Sequence, residues 1–238
     1  MTSGQFQFKE FAMIQGQSGQ RINTDSCFFA DLVDANSPTQ ILDVGCGSGV
    51  LSLMMAQKFP TAIITGVEVD ADDAALAAKN FLASPWRERL ILRNQKVQDL
   101  HDENSHQFDL IVCNPPFFSA STKSRDPARA LARHDDQLSA QDLTASINRF
   151  IAPGGVAWLL CAADEATRWL EAFRIEDLNL GFKVALADNP KAAPHAFALS
   201  FSRENVIPNL VRRVDYRVAP GGERSGCMQQ HRERWFPY

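Results

Sequence analysis

Long apolar runs are missing from this 238-residue sequence, and so is any surplus of positive charge. No run approaches the roughly 18 apolar residues of a membrane-spanning helix, and the opening letters, MTSGQFQFKEF, lack the apolar segment of a secretory signal peptide. The net charge is −4, so the molecule as a whole does not attract nucleic acid, and any such partner must bind a local basic patch. We therefore expect a soluble, cytoplasmic protein that has no membrane partner.

Paired cysteines are also missing. The sequence has five cysteines with no CxxC pair and no histidine at the spacing of a zinc site. This pattern favours reduced thiols in a cytosol and argues against a bound metal. The chain length suits one α/β domain, and we expect a monomer.

Strand-like and helix-like segments alternate regularly between about residue 40 and residue 203. This is the arrangement of right-handed βαβ units with a mostly parallel sheet. The predicted strands are 41–45, 62–69, 89–94, 108–114 and 155–161, and the predicted helices are 49–59, 72–83, 139–150 and 164–178. Two further strands, 181–188 and 195–202, are joined by NPKAAP, which is too short for a crossover helix, so they should pair antiparallel. We expect 1–20, 118–137 and 204–238 to be flexible.

A glycine-rich turn, DVGCGSG, follows the first core strand and opens the first helix. Gly45, Gly47 and Gly49 permit a tight turn that a ligand can approach closely, and their spacing differs from the GxGxxG of dinucleotide-binding folds. Asp43 precedes the turn and suits a cationic ligand, while Glu68 ends the next strand, where it can accept hydrogen bonds from both ribose hydroxyls. Together they predict a nucleoside-binding crevice; the alternative is a plain turn and a solvated strand end.

The fourth core strand ends in the motif NPPF, which should lie beside the glycine turn in such a sheet. Prolines fix φ and remove backbone donors, so the carbonyls remain as acceptors. The Asn114 side-chain oxygen and the Pro115 carbonyl can accept both N–H bonds of an amine conjugated to a ring, which directs its lone pair toward an electrophile without a strong base. Phe117 offers a face on which a flipped-out base stacks. Phe118 fits core packing and substrate contact equally well.

Basic residues follow the NPPF motif and recur near the end of the chain. Such side chains at the lip of a pocket can hold the phosphates that flank a flipped nucleotide. The candidates are Lys123, Arg125, Arg129, Arg133, Arg212 and Arg213. The alternative for the first four is a solvated loop that Asp135 and Asp136 partly neutralise. The aromatic residues of the terminal HRERWFPY either stack bases or pack on the core.

Several of these motifs resemble known enzymes. ILDVGCGSG, the acidic end of GVEVD and the closing antiparallel pair resemble the S-adenosylmethionine-dependent class I methyltransferases. NPPF resembles their amino-methyltransferases, which act on adenine N6, cytosine N4, guanine N2 or a protein glutamine amide. In order and spacing, FQFKEF, RINTDSCFFADL, SPWRERL, NPPFF, RDPARALARHDDQLSAQDL and HRERWFPY resemble the bacterial tRNA1(Val) adenine-37 N6-methyltransferases over nearly the whole chain.

The resemblance implies a Rossmann-like α/β fold with helices on both faces of a mostly parallel, seven-stranded sheet that has one antiparallel strand near its C-terminal end. It also implies S-adenosylmethionine as cofactor, tRNA as partner, and methylation of adenine N6 in an anticodon loop. We expect a single domain over 1–238, with an N-terminal extension or cap at 1–35, a catalytic core at 36–203 and a basic C-terminal extension at 204–238. The rival functions are N-methylation of ribosomal RNA or a protein glutamine, and a non-catalytic RNA-binding module.

The resemblance also implies roles for individual residues. Asp43 and the glycine turn would hold the methionine part of the cofactor, and Glu68 its ribose. Relatives commonly place an aspartate after the third core strand to bind the adenine amino group, whereas this chain has Lys96, which leaves the Val97 backbone or Asp99 for that role.

Two sets of site residues are therefore predicted. Asn23, Thr24 and Asp25 either close over the methionine end of the cofactor or only begin a helix. The predicted cofactor-binding residues are Thr24, Asp25, Asp43, Gly45, Cys46, Gly47, Glu68, Val97 and Asn114. The predicted catalytic residues are Asn114, Pro115, Pro116 and Phe117.

Overall fold

The computed structural model describes residues 4–15, 22–101, 107–115, 139–204 and 209–237, with the backbone alone for 209–211. Six residues of the predicted site lie outside these ranges, and their roles stay predictions. They are Pro116, Phe117, Lys123, Arg125, Arg129 and Arg133.

A hairpin and a helix precede the main sheet. The strands β1 (Gln5–Gln7) and β2 (Ala12–Ile14) pair antiparallel, and helix α1 spans Thr24–Leu32. Asn23 caps α1, because its side chain accepts a hydrogen bond from the backbone N–H of Ser26.

Within the described residues, eight strands form the main sheet in the order β10-β8-β9-β7-β6-β3-β4-β5. Every neighbouring pair is parallel except those of β9, which runs antiparallel to both β7 and β8. The strands are β3 (Gln40–Val44), β4 (Ile63–Glu68), β5 (Leu90–Asn94), β6 (Phe108–Cys113), β7 (Ile151–Ala162), β8 (Asn179–Ala187), β9 (Ala196–Ser202) and β10 (Asn209–Asp215).

Helices cover both faces of this sheet. They are α2 (Val50–Lys58), α3 (Ala71–Ala83), α4 (Ala140–Phe150), α5 (Ala166–Ile175) and α6 (Gly226–Trp235). Side chains alternate between the two faces along a strand, so successive residues belong to different apolar clusters. Ile41 lies in the cluster that includes α1, α2, α3 and α6, and Leu42 lies in the cluster that includes α4 and α5.

The Rossmann-like, mostly parallel α/β sheet with one antiparallel strand is confirmed. In the part of the chain that the structure describes, the sheet has eight strands instead of the expected seven, because β10 adds to the outer edge of β8. The expected flexibility of 204–238 is wrong for the described part, which contains β10 and α6. The buried positions of α6, Met228, His231 and Trp235, have helical spacing, but a histidine at the centre of the stripe weakens its apolar signal.

Candidate active site

The sheet changes direction beside β3, and this is where the candidate site lies. The chain passes from β3 outward to β4 and β5, then returns to the other side of β3 as β6. In open α/β sheets, ligands bind outside the carboxyl ends of the strands at such a switch point. The register aligns Val44 with both Val67 and Cys113, so the glycine turn, Glu68 and Asn114 follow at the same edge.

The glycine turn has an open side and a packed side. Gly45, Gly47 and Gly49 all have left-handed backbones, with φ of 69°, 53° and 87°. A Cβ at Gly45 or Gly47 would meet no atom of the described residues within 4 Å, so a ligand can approach there. At Gly49 a Cβ would come within 2.5 Å of the Phe81 ring, so this glycine lets α2 pack closely against α3.

Asp43 lies beneath the turn with its side chain almost fully buried, at 1% exposure. The Ser52 hydroxyl donates a hydrogen bond to its carboxylate at 2.6 Å. Burial raises the pKa of Asp43 to about 7, although the hydrogen bonds from Ser52 act in the opposite direction. A buried carboxylate with so little compensation is stabilised by a neighbouring cation, as expected for a cationic ligand.

Glu68 connects the end of β4 to the glycine turn through hydrogen bonds. One carboxylate oxygen accepts the backbone N–H of Gly47 at 2.8 Å, and the other accepts that of Asp70 at 2.9 Å. A carboxylate has about four acceptor positions, so two remain for ligand hydroxyls. The side chain is thereby held in one orientation at the crevice.

Asn114 is positioned by helix α1. Its side-chain nitrogen donates to the Ser26 hydroxyl oxygen at 2.7 Å, and Ser26 is 7% exposed. The side-chain oxygen of Asn114 has no partner within the described ranges, and Pro115 beside it is half-buried. The hydrogen bond to α1 engages the amide nitrogen, so the amide oxygen remains as the acceptor that an amine-binding site requires.

Asp25 has partners within the protein. Its carboxylate accepts from the Tyr216 hydroxyl at 2.6 Å and lies 3.1 Å from His195 Nε2. Burial would raise the pKa of Asp25, but hydrogen bonds from His195 and Tyr216 outweigh it, so that pKa is lowered. Thr24 is exposed. Asn23 begins helix α1, and the same helix contains Ser26, which contacts Asn114.

The structure limits what Cys46 and Val97 can contribute through their side chains. Cys46 is buried, and a Cβ on Gly66 would lie 3.0 Å from its sulfur, so the side chain points toward β4. Burial raises the pKa of the Cys46 thiol well above its usual value and keeps it neutral. Val97 is 4% exposed in a short 3₁₀ turn, Val97–Asp99. Both residues can contact a ligand mainly through the backbone.

The two predicted tail arginines differ. Arg213 donates to Asp215 at 2.9 Å and to the carbonyls of Asn189 and Ala192, so it holds the connection that follows β8. The guanidinium of Arg212 is exposed and lies 5.7 Å from the centre of the Phe182 ring. Of the two, Arg212 is better placed to contact a large ligand.

The contacts that position α1 could not be found from spacing. Ser26 and Asn114 are separated by 88 residues. Asp31 of α1 accepts from Arg234 at 2.9 Å and from Trp235 at 2.7 Å and is bonded to His231. No sequence pattern signals these pairs. Trp235 is 1% exposed, so it packs in the core.

Among the described residues, no group of three or more His, Cys, Asp or Glu side chains could hold a metal ion. Across the same residues, no helix has both the length and the apolar character needed to cross a bilayer.

Comparisons with known proteins place the chain among methyltransferases. The family model for the methyltransferase small domain matches residues 16–151. The tRNA1(Val) (adenine(37)-N6)-methyltransferase of Cytophaga hutchinsonii is 37% identical over 190 residues, which are 79% of each chain. The enzyme of the same name from Dyadobacter fermentans is 32% identical over 213 residues, covering 90% of this chain and 88% of that protein.

A solved structure supports the fold independently. A crystal structure of a predicted O-methyltransferase from Agrobacterium tumefaciens superposes with a TM-score of 0.68 at 14% identity. The match covers 90% of this chain and 98% of that one.

Proposed function

Because the chain belongs to the tRNA1(Val) (adenine(37)-N6)-methyltransferase family, we propose that it methylates N6 of adenine 37 in the anticodon loop of tRNA1(Val) in the cytoplasm. The chain is an S-adenosylmethionine-dependent methyltransferase, as the sequence predicts. The observation that carries the acceptor proposal is the amide of Asn114, which is held by Ser26 at the carboxyl edge of the sheet, next to the glycine turn.

The residues at the switch point fit the cofactor. Asp43 supplies a buried carboxylate for its cationic methionine part, the open side of Gly45 and Gly47 admits it, and Glu68 retains acceptor positions for its ribose hydroxyls. The Val97 backbone lies after β5, where the adenine ring is expected. Asp25 supports this site mainly by holding α1 and Cys46 by packing beneath the turn, whereas Thr24 is exposed at the start of α1, where it can contact the cofactor.

The chain's own groups prepare the acceptor amine. S-adenosylmethionine supplies, when bound, an electrophilic methyl group on its sulfonium. The side-chain oxygen of Asn114 and the Pro115 carbonyl accept the two N–H bonds of adenine N6, so its lone pair is directed toward that methyl group. The nitrogen would gain the methyl group as its bond to sulfur breaks, which would leave a neutral thioether and one proton too many on the nitrogen. Water would accept that proton, since a protonated aromatic amine is a strong acid. A general base is therefore not needed.

The rest of the acceptor site lies outside the described residues. We propose that Pro116 keeps the strand end rigid, that Phe117 stacks on the flipped adenine, and that the phosphates beside it contact four basic residues. These are Lys123, Arg125, Arg129 and Arg133. Arg212 extends this contact on the described surface, whereas Arg213 has a structural role.

Replacing Ser26 with alanine tests how Asn114 is positioned. Loss of one hydrogen bond of about 1.4 kcal/mol should lower kcat by about tenfold. The KM for tRNA and the Kd for the cofactor should remain unchanged, because Ser26 contacts neither of them in the proposal. Steady-state kinetics and calorimetry measure these quantities.

Ser26→Thr is the matched control, since it keeps a hydroxyl at the same position and should restore most of kcat. A kcat for Ser26→Ala equal to that of the unaltered protein would show that Asn114 does not depend on this contact. A general loss of folding would instead lower kcat together with cofactor affinity.

An acceptor survey tests the proposed function. The protein is incubated with methyl-labelled S-adenosylmethionine and, separately, with tRNA, ribosomal RNA and total protein from a strain lacking this gene. We expect label only in tRNA, recovered as N6-methyladenosine after digestion to nucleosides. Label in a protein glutamine or in ribosomal RNA would overturn the tRNA assignment in favour of one of the rival acceptors.

A further inference from the structure

An open depression of about 570 Å³ lies on the C-terminal segment of the chain. Its wall combines the residues that follow β10 with the exposed side of α6. Three arginines define it, and we call it the arginine depression: Arg217, Arg224 and Arg232. Phe236, which is half-buried, forms part of the same wall.

Two of the three arginines of the arginine depression have no partner within the described residues. Arg224 and Arg232 are exposed and make no side-chain hydrogen bond or ion pair with any residue that the structure describes. Arg217 is held, since it donates to the Gly222 carbonyl at 2.9 Å and lies 3.6 Å from Asp188.

Two acidic residues, Glu223 and Glu233, share the wall, and neither forms an ion pair with an arginine among the described residues. With Asp188 beside Arg217, the arginine depression has as many carboxylates as guanidinium groups. The available donors of Arg224 and Arg232, and not an excess of charge, are therefore what would bind phosphate oxygens here.

A short series of contacts joins the arginine depression to the candidate active site. Arg217 follows Tyr216, whose hydroxyl donates to Asp25. The next residue, Ser26, accepts from the side chain of Asn114. The residue before Arg217 thus contacts the same helix, α1, that positions the amide acceptor.

We propose that the arginine depression binds phosphates of the tRNA arm whose base enters the active site. Planar guanidinium groups match phosphate oxygens with two parallel hydrogen bonds, and those of Arg224 and Arg232 have no partner in the part of the chain that the structure describes. The inference rests on the proposed function, because it takes tRNA as the polyanion.

The double variant Arg224→Gln/Arg232→Gln tests this surface. Its affinity for tRNA1(Val) should fall by about tenfold, and the slope of log K against log salt should decrease by about 1.4 to 1.8, as expected for two lost phosphate contacts. Filter binding between 50 and 200 mM salt, a range over which such contacts weaken markedly, measures both quantities. The Kd for S-adenosylmethionine should not change.

Arg87→Gln/Arg174→Gln is the matched control, since it removes the same charge from two other exposed arginines, each paired with a neighbouring glutamate. Equal tRNA affinity and salt slope in the two double variants overturns the proposal. Thermal unfolding checks that both are folded; if the first is not, the single variants, each expected to lose about threefold in affinity, replace it.

Two further readouts separate the possible failures. If the unaltered protein methylates tRNA but the double variant binds it normally, only the arginine depression is wrong. If the unaltered protein neither binds nor methylates tRNA, the proposed function is wrong. Loss of binding to an acidic peptide such as polyglutamate, with tRNA binding intact, would overturn the proposal in favour of a protein partner.

Discussion

Replacing Asn114 with alanine should lower the rate of methyl transfer by about 100- to 1,000-fold, the usual effect of removing one preorganised hydrogen-bonding group from an active site. The amide oxygen accepts an N–H bond whose polarity increases as the nitrogen attacks, so its contribution is greatest in the transition state. Cofactor affinity should change little, because the proposed cofactor-binding carboxylates, Asp43 and Glu68, lie on other strands, β3 and β4. Single-turnover kinetics with saturating protein isolates this step.

Asn114→Asp provides the matched comparison. An aspartate has nearly the same shape and retains an acceptor oxygen, while the Ser26 hydroxyl can donate to its other oxygen. We expect it to be at least about tenfold faster than the alanine variant, since an ionised acceptor forms the stronger hydrogen bond. Near-normal turnover by Asn114→Ala would show that the amine is not activated through this side chain.

Replacing Asp43 with asparagine should weaken S-adenosylmethionine binding by about 10- to 100-fold at pH 8, the range for a lost hydrogen bond or contact to a charged group. Burial raises the pKa of Asp43 to about 7 in the ligand-free protein. The carboxylate is therefore mostly ionised at pH 8 and mostly protonated at pH 6. Because a cation prefers the ionised form, the advantage of aspartate over asparagine should shrink by roughly tenfold across this range.

Calorimetric titrations of both proteins at pH 6, 7 and 8 measure this advantage as a ratio of affinities. Because both proteins bind the same ligand, the ionisation of the ligand affects both affinities equally and cancels in their ratio. A ratio that stays constant with pH would contradict the assignment of Asp43 as the cation-binding carboxylate. Equal affinities at pH 8 would contradict it more strongly.

The same substitution has a predicted effect on stability. The folded carboxyl of Asp43 binds its proton more tightly than the unfolded one, whose pKa is 3.8, so raising the pH between about 4 and 7 favours unfolding. An asparagine at this position cannot ionise, and its side-chain oxygen can still accept from Ser52. Without cofactor, Asp43→Asn should therefore have a higher Tm than the unaltered protein at pH 8, measured by differential scanning calorimetry.

Much of the central fold was predictable because its signals are local. Short apolar runs identified β3 and β4, and the glycine turn with Glu68 located the crevice between strand ends. Ser139 was correctly expected to begin α4, where its hydroxyl accepts the backbone N–H of Asp142. Such features depend on residues within a few positions of each other.

The parts that were missed depend on distant partners. β10 is an edge strand whose arginines obscure its pattern, and it is stabilised by pairing with β8. The contact between Ser26 and Asn114 joins two chain segments that only the folded sheet brings together. The division into an N-terminal extension, a catalytic core and a C-terminal extension stays a prediction, although α6 packs on α1 through Asp31.

The most direct test of methyl transfer to adenine 37 uses two tRNA1(Val) transcripts that differ only at that position. One has adenine 37 and the other has guanosine, and each is incubated with the protein and S-adenosylmethionine before digestion and mass spectrometry of the nucleosides. We predict one N6-methyladenosine per adenine-37 transcript and none in the guanosine transcript. Equal methylation of both transcripts, or a methyl group on any other nucleoside, would contradict the proposed site of transfer.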